Sequence, residues 1–379
     1  MMRLCQAAIL VIVTILVLPG CGSSAARTNL AAHLPAQLSV RGFRDAPLVE
    51  VTIDGIGPVV MVLDTGSTVC VLGREVATQL PSPIRSQRRI LINAEGQSSE
   101  VEHVVRMGTL DFGAVQVHDM DAIVTDVEAL SRAFGERIAG VLGYPVFANL
   151  LLEVDYASRS VTIVRAPPEG AAAQPSMDSR LPVLRADVAG VLLDILIDTA
   201  SSGGWALPIE RMQLEPGSSG DKRIQLIDGV ATVIDGRLDG VIRLGEIEFD
   251  RPLVESTRGT ARAGARALDG LRITFDHRAG MVYVERVTDA VPGAVRGIGA
   301  ELRPLEHTWE LWSVQPGLPA HALGLRDGEI VLAVDGMRVD QIDPGALRAH
   351  IASAGRVRLD LLRAHGVEPV YVPVVYIAR

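Results

Sequence analysis

The chain has 379 residues, 48% of them hydrophobic and 21% charged, a composition that supports several buried cores and excludes both extended disorder and a single disulfide-stapled module. Its 36 Lys and Arg against 45 Asp and Glu give a net charge of −9 with no long basic run, which argues against a nucleic-acid role. At roughly 150 residues per domain, this length corresponds to two or three domains.

At the N-terminus Arg3 precedes an apolar run from Ala7 to Leu18, then Leu18-Pro19-Gly20-Cys21. That run falls short of the roughly 20 residues needed to span a bilayer, so residues 1–20 read as a secretory signal peptide. An apolar stretch ending on a small residue before Cys resembles the bacterial lipoprotein lipobox. The resemblance implies a lipid on Cys21, export, and an anchored place in the cell envelope facing the periplasm; plain secretion or an uncleaved anchor are the alternatives. With Cys5 in the signal and Cys21 lipidated, only Cys70 remains, so no intramolecular disulfide is expected. Cys70 itself reads as a small buried residue rather than a nucleophile.

Residues 21–46 read as a tether. From Pro47 onward, β-branched runs alternate with Gly, Asp and Asn turns, which predicts strands at Leu48–Ile53, Val59–Leu63, Ile90–Ile92 and Val161–Val164. A stretch rich in Ala, Pro, Gly and Ser at 167–180 reads as a linker. It separates two strand-rich regions of similar size, 47–166 and 181–287.

The two regions read as copies of one pattern. Val59-Val-Met-Val-Leu63 leads into Asp64-Thr65-Gly66-Ser67, and Val191-Leu-Leu-Asp-Ile-Leu-Ile197 leads into Asp198-Thr199-Ala200-Ser201. Downstream, Ala139-Gly140-Val141-Leu142 is set opposite Asp269-Gly270-Leu271. Each copy then closes with a hairpin, Glu153–Asp155 to Val161–Arg165 and Thr274–Asp276 to Val282–Arg286.

Two Asp turns after apolar strands suit a mechanism in which paired carboxylates share one proton and activate a water. The small residue after each Thr keeps the turn tight, and the Thr hydroxyls can bond across a pseudo-twofold axis. Ser67 and Ser201 are expected to hydrogen-bond the outer carboxylate oxygens, which would lower the apparent values of the dyad and give an acidic to mildly acidic optimum.

On Asp64-Thr65-Gly66-Ser67 and its mate Asp198-Thr199-Ala200-Ser201, the sequence resembles the pepsin and retropepsin superfamily of aspartic proteases. The second turn, with Trp205 following Asp198, is similar to that of pepsin, and Val141-Leu142-Gly143 resembles the family's apolar-apolar-Gly element behind the catalytic turn. The resemblance covers about residues 47 to 287. It implies a mainly β, two-lobed protease of small β-barrels arising by internal duplication, with no metal or cofactor and an extended peptide held between the lobes. Asp64 and Asp198 would be catalytic; Thr65, Gly66, Ser67, Thr199, Ala200 and Ser201 would support them. Hairpin flaps are implied over the cleft, with candidate tips at Glu95-Gly96 and Asp228-Gly229. Two departures stand out: Ala200 replaces the usual Gly, and Leu271 is followed by Arg272, so the second copy lacks a full apolar-apolar-Gly run.

A rival pattern is present. Ala200-Ser201-Ser202-Gly203-Gly204 resembles the nucleophile turn of trypsin-like serine proteases, with His103 and Asp121 upstream, but Ala200 stands where that family places an oxyanion-hole Gly.

The third region, 292–379, is distinct. Gly297-Ile298-Gly299, then Val314-Gln-Pro-Gly-Leu-Pro-Ala to Asp327-Gly328-Glu-Ile-Val-Leu-Ala-Val-Asp-Gly336, resembles a bacterial PDZ domain, a small β-barrel with helices. The resemblance implies that Gly297, Ile298 and Gly299 capture a terminal carboxylate while the ligand adds as a strand. A strand is expected at Ile330–Val334 and a helix at Pro344–Ser353. The expectation as a whole is an envelope aspartic endopeptidase whose partners are a peptide or protein substrate, a PDZ-bound C-terminal peptide or envelope protein, and the membrane through Cys21. The alternative is an inactive protease-fold scaffold acting through its PDZ domain.

Overall fold

Asp54 and Gly55, both at positive φ (49° and 85°), turn the chain tightly enough to pair β1 (Pro47–Ile53) with β2 (Ile56–Leu63) as a hairpin. Val49, Val51 and Ile53 alternate into the core. The computed structural model describes residues 11–12, 16–17, 27–30, 34–43, 46–178, 180–211, 213–216, 220–288, 295–305, 308–315, 317–342 and 344–378. Most of the expected signal peptide, and Cys21, lie outside them.

After β2 come β3 (Cys70–Gly73), β4 (Arg85–Ile92), β5 (Ser98–Asp111), β6 (Val115–Thr125), helix α1 (Glu128–Phe134) and β7 (Ile138–Leu142). They form one sheet in the order β4-β5-β6-β3-β7-β2-β1, and β5 also pairs with β1 so that the sheet curls shut. The hairpin β8 (Leu151–Asp155) and β9 (Ser160–Val164) follows.

The second region supplies β10 (Val183–Val188), β11 (Val191–Ile197), β12 (Trp205–Pro208), β13 (Gly220–Leu226), β14 (Gly229–Arg237), β15 (Leu253–Thr257) and β16 (Arg262–Ala263). Their order, β13-β14-β15-β12-β16-β11-β10, repeats that of the first sheet. The senses match as well: β3–β6 and β12–β15 are parallel, as are β2–β7 and β11–β16.

A third sheet joins the two regions. Strand β17 (Leu271–Asp276), which pairs with β18 (Met281–Arg286), also pairs along its whole length with β8, from Leu151↔Asp276 to Asp155↔Arg272. Arg272 donates to Asp155 Oδ2 across that pair at 3.0 Å. One apolar core runs through both regions, with Leu63, Leu142, Phe147, Ile197, Trp205 and Phe275 inside it. The molecule is thus mainly β.

Two stretches expected to be loose are ordered. Within the supposed tether, 27–30, 36–37 and 40–43 are strands paired with β6, β9 and β1, because Leu38 and Phe43 bury their side chains in the core. Within the supposed linker, Ala172–Pro175 pairs with β18. Of the apolar leader, Val11–Ile12 pairs with β13 and Leu16–Val17 with β4. Among the described residues, no helix is long and apolar enough to cross a membrane.

The C-terminal region has its own core around Ile298, Leu311, Leu347, Val357 and Leu359. Its sheet runs β19 (Glu301–Pro304), β20 (Trp309–Trp312), β21 (Ile330–Val334), β22 (Arg356–Arg363) and β23 (Gly366–Pro373), in that order. Helix α2 (Pro344–Ser353) opens on Pro, whose fixed φ and missing N–H suit a first helical turn.

Candidate active site

Strands β2 and β11 end at Asp64 and Asp198, and the two turns are built alike. The Asp64 amide donates to the Leu142 carbonyl at 2.9 Å, and that of Asp198 to Ala263 at 3.0 Å. Each carboxylate then accepts amides from its own turn: Gly66 N to Asp64 Oδ1 at 2.8 Å, Ala200 N and Ser201 N to Asp198 Oδ1 at 3.0 and 3.1 Å.

The threonines lock one turn to the other. Thr65 N donates to Thr199 Oγ1 at 3.0 Å, and Thr199 N to Thr65 Oγ1 at 3.2 Å. Each hydroxyl in turn donates to the opposite strand, Thr65 to the Ile197 carbonyl and Thr199 to the Leu63 carbonyl, at 2.7 and 2.8 Å. Four hydrogen bonds, all buried, therefore fix the separation of the two aspartates.

Asp64 and Asp198 are both fully buried. Burial, followed by the Asp198 charge, holds the Asp64 carboxyl well above the usual carboxylate range; the amides of Gly66 and Ser67 offset this only in part, and a hydrogen bond with the Asp198 carboxyl adds to the rise. The expected lowering by serine hydroxyls does not occur. Ser67 Oγ donates instead to the Val69 carbonyl at 2.8 Å, and Ser201 Oγ is buried without a partner. Backbone amides, not hydroxyls, serve the carboxylates.

Gly66 and Ala200 are not equivalent. A Cβ on Gly66 would lie 2.9 Å from Asp198 Cγ, whereas the Ala200 methyl is buried in an apolar cluster with Val62, Val71 and Val141. The departure at Ala200 is accommodated without loss of the turn's hydrogen bonds.

The element behind the second turn is not the one expected. Arg262-Ala263-Gly264, rather than Asp269-Gly270-Leu271, occupies the place that Val141-Leu142-Gly143 holds in the first copy. Leu142 pairs with Leu63, and Ala263 with Ile197. Tyr144 N donates to the Ser67 carbonyl, and Ala265 N to that of Ser201. Both glycines press on the turn they support: a Cβ would lie 2.1 Å from the Val69 carbonyl at Gly143, and 2.6 Å from that of Ser201 at Gly264. No apolar pair precedes Gly264, so this element carries little signal in sequence.

Arg262, fully buried, reaches the tip of the β4–β5 hairpin and ion-pairs with Glu95 at 2.9 Å. Glu95 also accepts from Thr257 Oγ1 and Arg258 N, and Gly259 leaves room for the Ala94 carbonyl, which a Cβ would meet at 2.1 Å. The other hairpin, β13–β14, turns at Ile227-Asp228 and sends Ile227 into the first region's apolar cluster. Asn93 Nδ2 donates to Asp228 Oδ1 at 2.9 Å, joining the two tips. Both expected hairpins are therefore present, the second turning one residue earlier than Asp228-Gly229, with Gly229 already in β14, and each tip is docked on the opposite region.

The serine-protease pattern is not assembled. Asp121 is held by Arg85 and Arg106 and makes no bond to His103, while Ser202 is fully buried. Cys70 is also fully buried, its thiol pushed up to about 12 by burial, and so is no nucleophile.

Residues 49–146 match the family model described as aspartyl protease. The matched segment contains Asp64 with its turn, the first hairpin and the Val141-Leu142-Gly143 support, and is therefore similar to a protease-type hydrolase domain. Among curated proteins, none matches the sequence.

In the C-terminal region, Gly297 ends a strand, Val295–Gly297, that pairs with Val375–Ala378, so only Ile298 and Gly299 of the expected loop lie outside strands before β19. The Ile298 and Gly299 carbonyls accept from the Ala320 and Gln315 amides. Gly299, at φ +78°, lies so close to Leu318 that a Cβ there would stand 2.3 Å from the Leu318 Cβ.

Proposed function

We propose that the chain is an aspartic endopeptidase of the cell envelope in which Asp64 and Asp198 act as one dyad. The observation that carries this reading is the reciprocal Thr65–Thr199 bonding, which joins two fully buried aspartate turns. The repeated strand order and the shared sense of each pairing support two lobes related by internal duplication.

Asp64, held above the carboxylate range, keeps the proton at rest, and Asp198 accepts one from the attacking water. The water oxygen bonds to the peptide carbonyl carbon while Asp64 protonates the carbonyl oxygen. Collapse breaks the C–N bond: the amine leaves with the proton held by Asp198 while a hydroxyl of the gem-diol returns one to Asp64, so the dyad regains its one-proton state. Thr65 and Thr199 fix the spacing of the turns; Gly66 and Ala200 give the amides that orient the carboxylates. The two hairpins act as flaps. That extended chain suits them is supported by Val11–Ile12 and Leu16–Val17, which join their edge strands.

The C-terminal region is read as a PDZ domain, in which Gly297, Ile298 and Gly299 cradle a terminal carboxylate and β19 offers a strand edge for a peptide or envelope partner. Cys21 is read as the lipid attachment site that keeps the enzyme in the envelope, facing the periplasm.

The test is cleavage of a mixed peptide library across pH 3 to 8 by the chain from Gly22 onward, beside Asp64→Asn, Asp198→Asn and a statine-type inhibitor. Loss of cleavage in both variants and with the inhibitor upholds the dyad. Cleavage that survives either substitution refutes it, and a folded parent that cleaves nothing favours the scaffold alternative.

A further inference from the structure

We propose that the C-terminal region grips the second hairpin, β13–β14, and sets how readily it lifts away from the dyad; this rests on the reading of both hairpins as covers over Asp64 and Asp198. The grip centres on Trp312, at the end of β20 and nearly buried. Its ring lies between two guanidinium groups, Arg223 of β13 and Arg303 of β19, each 3.9 Å from the ring centroid. Arg223 is fixed a second time, donating to Asp327 Oδ2 at 2.7 Å, while Asp327 Oδ1 accepts the Val314 amide at 2.7 Å. Arg303 is held in turn by Glu310. A strand of the hairpin is thus clamped to a rigid part of the C-terminal core.

The two hairpins are held unequally at their tips. Glu95 locks the first through its buried pair with Arg262. Among the described residues, the second carries no ion pair at its tip and is held by the apolar contact of Ile227, the Asn93–Asp228 bond and the packing of Ile224 and Leu226 on Ala94. Beside that tip lies a cavity of about 170 Å³, lined in part by Leu91, Val101, Asp126 and Ile227. The cavity lies between the two hairpins, and the outer strand of the second, tied to β15 at Lys222 by its buried pair with Glu255, is held from the other region by the Trp312 clamp on Arg223. With the tips joined, a substrate binds only the fraction of molecules whose hairpin has opened, and apparent affinity falls by that fraction. A stacked guanidinium with an exposed ion pair shifts such an equilibrium by roughly three- to tenfold.

Hydrogen exchange measured by mass spectrometry on the full chain tests this, with Arg223→Gln and Asp327→Asn as surface variants and Trp312→Ala as the stronger one. The expected result is exchange about three- to tenfold faster across 220–237 in all three variants, with 85–111 unchanged, and a KM lowered by a similar factor at constant kcat. Unchanged exchange of 220–237 in Arg223→Gln and Asp327→Asn, with Trp312→Ala affecting only 308–342, overturns the grip and leaves Trp312 as a core residue of its own region. Faster exchange in 220–237 with a parent chain that cleaves no peptide upholds the grip and overturns the reading of the hairpins as covers of a working dyad.

Discussion

Glu95, at the tip of the first hairpin, is ion-paired with Arg262, the residue before the Ala263 carbonyl that holds the backbone of Asp198. The hairpin tip and the Asp198 turn are therefore one hydrogen-bonded unit. Both partners are withdrawn from water, so each depends on the other. Arg262→Met leaves the Glu95 carboxylate uncompensated and is expected to lower unfolding stability by about 3–5 kcal/mol. Adding Glu95→Leu to it is expected to recover most of that loss. Urea unfolding of the single and double variants measures the coupling; simple additivity would show that the pair is not linked.

Gly66 and Ala200 are expected to respond oppositely to exchange. Gly66→Ala drives a methyl against the Asp198 carboxyl, with an overpacking cost of about 1–3 kcal/mol and near loss of hydrolysis. Ala200→Gly removes a buried methyl at a cost of about 1 kcal/mol, with hydrolysis retained. Thermal unfolding and peptide turnover of the two variants check this directly.

Asp64 makes stability depend on pH in a definite direction. Its folded value is raised, so the native state binds the proton more tightly than the unfolded chain. The resulting stabilisation is complete below the ordinary carboxylate value and is lost as pH rises through the folded one. Asp64→Asn lacks this dependence: it is expected to melt above the parent at pH 7, with the gap closing toward pH 4, while its hydrolysis is abolished. A parent whose melting temperature does not fall relative to the variant between those pH values would contradict it.

His277 works with the opposite sign. Its ring packs edge-on against Tyr144 at 5.1 Å, and burial pushes it down to about 4 from 6.5. Its contribution is whole above pH 6.5 and is lost as pH falls toward 4, because the unfolded chain takes up the proton first. His277→Phe is expected to flatten the acid side of the melting profile without moving the neutral side.

The parts of the molecule that were legible in sequence are those with strong periodicity or fixed turn chemistry. The strands before Asp64 and Asp198, the hairpins that turn after Asp155 and Asp276, and the helix opened by Pro344 all carry such signals. Arg262-Ala263-Gly264 carried none, since a charged residue occupies the place where its counterpart has Val141. Spacing alone pointed to Gly270 instead. The roles of Ser67 and Ser201 were misread because side-chain chemistry does not reveal that backbone amides reach the carboxylates first. Strands 27–30, 36–37 and 40–43 lie in the stretch that reads as a tether because they are short, and only pairing with β6, β9 and β1 makes them regular. Contacts between regions, such as Arg223 with Trp312, leave no local trace at all.

The pairing of β8 with β17 bears on how the paired aspartate turns behave on dilution. Each half of the site is threaded into the same sheet, so the partner of either aspartate is always present at the same effective concentration. The proposed peptidase activity is therefore expected to depend on the fold of a single molecule rather than on encounters between molecules, and to stay constant per molecule at dilutions where a site assembled from two separate chains would come apart.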